Sequence, residues 1–170
     1  MSRPGKIETI SLEIGAPSSL HTATAAVVLS LFDLSTPFWV DPSISCTDLV
    51  EYIGFQTGAR STEDPTIATF AIVGGNTGSI NWISFATGTP DYPDRSTTII
   101  IQVDDLQEDG PVRLSGPGIE TEHRLTVTGI DAGFWQSRQH NTSMYPLGTD
   151  AILVAKNKIA CLPRTTRVEV

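Results

Sequence analysis

The sequence has little positive charge and no long apolar run. Eleven lysines and arginines stand against nineteen acids, so the net charge is −8, and only three of these bases are lysines. A nucleic-acid-binding domain needs a clustered basic face, and an anionic membrane surface attracts the same kind of cluster. This composition excludes both classes of partner. The most apolar stretch, residues 23–32, is also too short to cross a bilayer.

Cysteine and histidine are scarce, which limits metal and redox chemistry. The two cysteines, Cys46 and Cys161, are far apart in the chain and are interpreted as reduced, buried thiols. No closely spaced set of cysteines and histidines predicts a zinc site or an iron–sulfur cluster. The N-terminus lacks the apolar region of a secretory signal, so the expected location is the cytoplasm.

The 170 residues predict one α/β domain with a mixed sheet in three layers. Predicted strands cover residues 7–14, 38–40, 67–73, 97–103, 111–115, 121–128, 151–155 and 159–163. Predicted helices cover residues 20–33, 48–56, 79–86 and 131–140, with caps at Ser18 or Ser19, Thr47 and Asp131. The acids Asp104, Asp105, Glu108 and Asp109 either surround a solvated turn that ends at Gly110 or bind a hard cation, although their spacing is not that of an EF-hand.

Three internal motifs each have a functional and a structural interpretation. The loop GGNTGS (74–79) either holds phosphate with its backbone N–H groups or is a plain turn, because it lacks the lysine of a Walker A motif. The segment LSGPGI (114–119) requires either a tight turn or close approach by another chain or ligand. His123 is either a structural histidine or a catalytic one, but no serine elbow accompanies it.

The C-terminal segment is the most informative. Arg164, Thr165 and Thr166 suit a phosphate or a partner carboxylate, although a plain polar tail fits as well. Asp150 is a candidate anchor for a neighbouring backbone. The full set of candidate ligand or partner contacts is Arg3, Gly148, Asp150, Arg164, Thr165, Thr166 and Glu169.

An ordered set of segments runs along the whole chain and resembles the PhnH family. In order, the segments are SRPG (2–5), TPFWV (36–40), FQTGA (55–59), ATFAI (68–72), GTPDYPDRSTTIIIQV (88–103), LSGPGI (114–119), YPLGTD (145–150) and LPRTTRVEV (162–170). The resemblance implies a subunit of the bacterial carbon–phosphorus lyase complex. In the family SRPG follows a helix, so we expect this chain to lack one N-terminal helix that its relatives carry.

The resemblance also implies a fold like that of pyridoxal-phosphate-dependent transferases, without the cofactor, and a homodimer. It implies assembly with PhnG, PhnI and PhnJ, whose complex replaces the adenine of ATP by an alkylphosphonate. It supplies no catalytic residue. From the residues themselves, Lys6, Lys156 and Lys158 are poorly placed for a Schiff base, so we expect no cofactor.

Three hypotheses follow for function. The first is a docking subunit of the carbon–phosphorus lyase complex, a ribose 1-methylphosphonate 5-triphosphate synthase, without catalysis of its own. The second is a phosphate or nucleotide binder that uses Arg3, Arg164, Thr165 and Thr166 within that complex. The third is an independent cytosolic enzyme that uses the GGNTGS loop and His123.

Overall fold

A sheet with both faces buried forms the centre of the molecule. The structure, a computed structural model, describes residues 1–75 and 81–170. The elements in chain order are β1 (Glu8–Thr9), α1 (Thr22–Leu31), β2 (Phe38–Val40), α2 (Thr47–Thr57), a 3₁₀ turn (Pro65–Ile67), β3 (Phe70–Gly74), β4 (Thr98–Gln102), β5 (Asp105–Ser115), β6 (His123–Thr128), α3 (Ala132–Ser143), β7 (Asp150–Ala155), β8 (Lys158–Leu162) and β9 (Arg167–Glu169).

Two sheets divide the strands between them. The central sheet has six strands in the order β1-β8-β7-β4-β3-β2, and the second sheet has the order β6-β5-β9. Strands β2, β3, β4 and β7 are mutually parallel, whereas β8 and β1 pair antiparallel at one side. The mixed α/β class predicted from the sequence is therefore confirmed.

Alternate residues of the central strands feed two separate hydrophobic clusters. Val73, Ile101 and Leu153 face a cluster shared with α3 and the second sheet, where Phe134 and Leu114 are buried. Ile72 and Ile100 face the cluster covered by α1 and α2. Burial on both faces explains why these strands read as continuous apolar runs rather than as alternating ones.

Helix α1 begins without a side-chain cap of its own. Ser18 and Ser19 do not cap it; instead Gln102, at the end of β4, places Oε1 at the helix start, where it accepts from His21 N (2.6 Å) and Thr24 Oγ1 (2.9 Å). The carbonyl of Lys156 accepts from Ala23 N at 2.9 Å. These long-range acceptors satisfy amide groups that a local cap usually serves.

Several element predictions are confirmed. Helices α1 and α2 form near the predicted positions, and Gly58 ends α2 in the left-handed conformation. Asp131 caps α3 by accepting from Gly133 N. The predicted terminal hairpin is the β7–β8 pair, which turns at Lys156 and Asn157.

Other predictions are wrong, each for a local reason. Only Glu8–Thr9 of the predicted strand 7–14 forms a strand, because its partner β8 begins at the hairpin turn, where Ile10 N makes one further hydrogen bond to the Asn157 carbonyl (2.7 Å). Residues 81–86 form turns rather than a helix, and the rest of that prediction, residues 79–80, lies outside the described residues. The residues predicted to form a turn before Gly110 instead belong to strand β5. A bulge between Glu108 and Val112 shifts the register of its pairing with β6.

The cysteine prediction is wrong for one of the two thiols. Cys46 is exposed at the start of α2, and Cys161 is half-buried in β8. The longest helix in the described part of the chain has 12 residues, and none there has the length and apolarity that crossing a bilayer requires.

Candidate functional site

Arg164 is the centre of the candidate site, and its guanidinium is fully engaged. Its Nη2 donates to Asp150 Oδ2 (2.6 Å) and Ser96 Oγ (2.6 Å), and its Nε donates to Asp150 Oδ1 (3.3 Å). Its Nη1 donates to the carbonyls of Pro93 (2.6 Å) and Pro146 (3.4 Å). A guanidinium has five N–H groups, and all five have protein acceptors here.

Asp150 ties the same point to the backbone. Its Oδ1 accepts from Arg164 N at 2.7 Å, which confirms the expectation that it anchors a neighbouring backbone. The Arg164 and Asp150 side chains are only 15% and 20% exposed. The pair therefore fastens the chain after β8 to the start of β7 and to the loop before β4, and leaves no free donor for an incoming phosphate.

A second buried cation, which sequence reasoning missed, lies beside this pair. Arg138 of α3 is 1% exposed and donates to the carbonyls of Thr149 (2.7 Å), Leu162 (3.1 Å) and Pro163 (3.0 Å). Burial lowers the pKa of Arg138 to about 10, although the charge of Asp150 opposes that shift. Arg138 lies among polar residues of a helix, as exposed arginines commonly do, so its burial could not be predicted from the sequence.

Asn141, one helical turn after Arg138, closes the network. Its Oδ1 accepts from Thr149 N at 2.7 Å, and its Nδ2 donates to the carbonyl of Thr149 at 3.1 Å. Gly148 has φ +121°, and a Cβ there would lie 2.6 Å from Asn141 Oδ1. Gly148 is therefore required by this close approach, which gives a structural reason for one of the candidate residues.

The two threonines of the C-terminal segment differ in burial. Thr166 is 1% exposed, and its backbone carbonyl accepts from Thr142 Oγ1 at 3.0 Å. Its own Oγ1 is buried without a hydrogen-bond partner among the described residues. Thr165 is half-buried, and its carbonyl lies against Gly116. Because its hydroxyl is buried, Thr166 does not join Arg164 and Thr165 on an exposed surface.

Arg3 and Glu169 lie apart from the Arg164 network. Arg3 is exposed and lines a cleft of about 140 Å³ together with Lys6, Glu8 and Cys161. Glu169 is exposed on β9 and pairs with Arg113, and that pairing raises the pKa of Arg113 above its ordinary value. The candidate residues thus divide into one packed network and two separate surface positions.

The glycine motif after β5 is a contact point for the chain's own N-terminal segment. Gly118 has φ +86°, and a Cβ there would lie 2.6 Å from the Ser2 carbonyl oxygen. His123 Nδ1 is 2.7 Å from the carbonyl of Pro4, which supports the structural interpretation of this histidine. LSGPGI forms the tight turn that is one of its two interpretations, in which Ile119 N donates to the Gly116 carbonyl at 3.1 Å, and residues 2–5 pack against that turn.

No residues in the described ranges form a cluster suited to a metal ion. Asp105, one of the acids near the β5 bulge, instead binds Lys158 Nζ at 2.8 Å. That hydrogen bond is the main reason why the pKa of Asp105 is lowered to about 2, and a hydrogen bond from Gln107 has a smaller effect in the same direction. Most of the predicted phosphate loop, residues 76–79 of GGNTGS, lies outside the described residues.

These contacts suit a structural role rather than a reaction. The side chains of Arg164, Asp150 and Asn141 are hydrogen-bonded to one another's neighbours, and Arg138 donates through both Nη atoms while its Nε is buried without a partner among the described residues. A rigid polar network of this kind sets the position of the loops around it.

Comparison with known proteins identifies the family. The model for "Bacterial phosphonate metabolism protein (PhnH)" matches residues 1–169. The chain is 35% identical over 168 residues to a protein of Rhizobium meliloti (strain 1021) named "Alpha-D-ribose 1-methylphosphonate 5-triphosphate synthase subunit PhnH", covering 99% of this chain and 84% of the relative. It is 33% identical over 167 residues to "Putative C-P lyase subunit protein HtxG" of Stutzerimonas stutzeri, covering 98% of this chain and 79% of the relative. The chain therefore belongs to the PhnH family of bacterial phosphonate metabolism proteins.

Proposed function

We propose that the protein is a subunit of a carbon–phosphorus lyase complex and acts by docking and support, with no catalysis of its own. The observation that carries the proposal is the end-to-end similarity to relatives named as subunits of such a complex. The saturation of Arg164 by internal acceptors supports the docking role, because the best candidate for phosphate binding is already occupied. The proposed partners are PhnG, PhnI and PhnJ, in the cytoplasm, and the isolated subunit is proposed to be a homodimer.

We further propose that the domain is a transferase-like fold that works without pyridoxal phosphate. The placement of the three lysines supports this. Lys6 pairs with Glu8, Lys158 pairs with Asp105, and Lys156 is exposed at the hairpin turn. A Schiff-base lysine needs a desolvated position in a cleft, and none of these three has one.

Genetic complementation combined with purification tests the docking role. A strain lacking the gene is grown with methylphosphonate as its only phosphorus source and is complemented by the tagged wild-type chain. We expect growth to be restored only with the gene present, and PhnG, PhnI and PhnJ to co-purify with the tag. Unchanged growth of the deletion strain would overturn the proposal, and so would a chain that restores growth without binding the other subunits.

Calorimetry separates docking from ligand binding. The isolated protein is titrated with ATP and with methylphosphonate at millimolar concentration. We expect no binding heat, because the donors of Arg164 are already paired and Thr166 is buried. Saturable heat that disappears in the Arg3→Ala variant would instead support the phosphate-binding role.

A further inference from the structure

Two tyrosines that the Arg164 network does not use are exposed on loops that this network joins. Tyr92 is 50% exposed and Tyr145 is 64% exposed, and each immediately precedes a proline. They lie on residues 88–95 and residues 144–149, which we call the tyrosine loops. Burial of a large aromatic ring is favourable, so two exposed rings on joined loops are suited to an interface.

The Arg164 guanidinium holds the two tyrosine loops next to each other. Its Nη1 donates both to the carbonyl of Pro93, which follows Tyr92, and to the carbonyl of Pro146, which follows Tyr145. One nitrogen atom thus bridges the two Tyr-Pro units.

The loops are also joined where they leave the body of the protein. Gly148 N donates to the carbonyl of Thr87 at 2.9 Å, and Thr87 pairs with Ser96 across the neck of the first loop. Gly88, with φ +82°, lets the chain pass so close to Pro93 that a Cβ would lie 2.8 Å from its carbonyl oxygen. The two rings are therefore presented on a braced support, which reduces the entropy lost when a partner binds.

Charge around the rings limits the kind of partner. Asp91 and Asp94 are exposed on the first loop, and the Arg95 guanidinium lies 4.0 Å from the centre of the Tyr92 ring. In a twofold contact of this surface with itself, each copy would bring the two acids Asp91 and Asp94 against a surface whose nearest base is Arg95, so both sides would carry net negative charge. A different protein with a basic rim is the better match.

We propose that the tyrosine loops are the surface through which this chain docks onto another subunit of its complex. The partner offers an apolar cleft for the Tyr92 and Tyr145 rings, with hydrogen-bond acceptors for their hydroxyls and a basic rim facing Asp91 and Asp94. Tyrosine and arginine are the residue types that most often dominate interface energetics, and Arg95 completes the set. This inference rests on the proposed function.

The test compares association of the chain with the co-expressed remaining subunits of the complex. Tyr92→Ala and Tyr145→Ala are each expected to weaken association by roughly tenfold or more, and the double variant by about a hundredfold. Phe55→Ala is the matched control, because Phe55 is 88% exposed on α2 and lies outside the loops. It is expected to associate like the wild type. Thermal unfolding confirms that each variant folds.

The outcomes distinguish the two proposals. If the wild-type chain fails to associate, the proposed function and this inference both fall. If the wild type and the double variant associate equally, only the inference is overturned. Light scattering on the isolated chain measures self-association. If the double variant loses self-association but still binds the complex, the tyrosine loops contact a second copy of this chain and the proposal is overturned.

Discussion

Replacing Arg164 by methionine is expected to destabilise the fold strongly. The variant keeps most of the side-chain length but removes every side-chain N–H donor. The Asp150 carboxylate therefore loses its charged partner and keeps only the hydrogen bond from the backbone N–H of residue 164. The carbonyls of Pro93 and Pro146 and the hydroxyl of Ser96 lose their donor as well.

The magnitude follows from the burial of the pair. Removing one partner of a buried ion pair costs about 3–5 kcal/mol, and these side chains retain 15% and 20% exposure, which places Arg164→Met near the lower end, at about 3 kcal/mol. Arg164→Lys keeps the charge but cannot reach all of the acceptors, so we expect roughly half of that loss. For a chain of this length, about 3 kcal/mol corresponds to a fall in Tm of roughly 6–12 °C.

Urea unfolding followed by circular dichroism measures these free energies, and Asp150→Asn completes a double-mutant cycle. We expect a coupling of about 1.5–3 kcal/mol between Arg164→Met and Asp150→Asn. Arg113→Met is the control, because Arg113 is an exposed arginine that pairs with Glu169, and it should shift the unfolding midpoint far less. If Arg164→Met lowers the free energy of unfolding no more than Arg113→Met does, the assignment of Arg164 as the centre of the stabilising network is refuted.

Three further predictions concern other parts of the chain. Arg138→Met should lower the free energy of unfolding by about 3 kcal/mol in urea, because the carbonyls of Leu162 and Pro163 lose the Arg138 donor and the Thr149 carbonyl keeps only its bond from Asn141 Nδ2. A variant as stable as the wild type would contradict this. Gly118→Ala should loosen residues 1–6, seen as faster amide exchange there than in the wild type, because the added Cβ meets the Ser2 carbonyl at positive φ. The pKa of Asp105 lies below its unfolded value, so its contribution is present above about pH 4 and is lost as the pH falls towards about 2. Asp105→Asn should therefore flatten the decline of the urea midpoint between pH 4 and pH 2, and an unchanged slope would count against the Lys158 contact.

The central strands were predictable because their pattern is local. Runs such as Ile99–Ile101 and Ile152–Val154 are apolar on both faces, and only a covered sheet accommodates that composition. The caps at Asp131 and Gly58 are local signals of the same kind. Features set by contacts between distant residues were missed, including β9 and the cap that Gln102 provides for α1.

The candidate site shows the same division. The sequence indicates Asp150 as an anchor, but for its main partner Arg164 it leaves a phosphate, a partner carboxylate and a plain polar tail open. Nothing in the segment around Arg164 reveals that a carboxylate and two carbonyls converge on it, because these acceptors come from three other parts of the chain. The acids before Gly110 resembled a hairpin turn, since a bulge within a strand uses the same residue types as a turn.

The acceptors at the start of α1 are synthesised long after the helix itself. Residues 23–28 are all buried and all apolar except Thr24, so this helix exposes a largely apolar surface whenever the sheet is missing. Its start is completed only by Gln102, 81 positions after His21, and by Lys156 near the end of the chain. A ribosome must therefore make almost the entire protein before α1 has its acceptors. We expect nascent chains that stop before Lys156 to remain chaperone clients, whereas the finished chain closes on itself in one cooperative step.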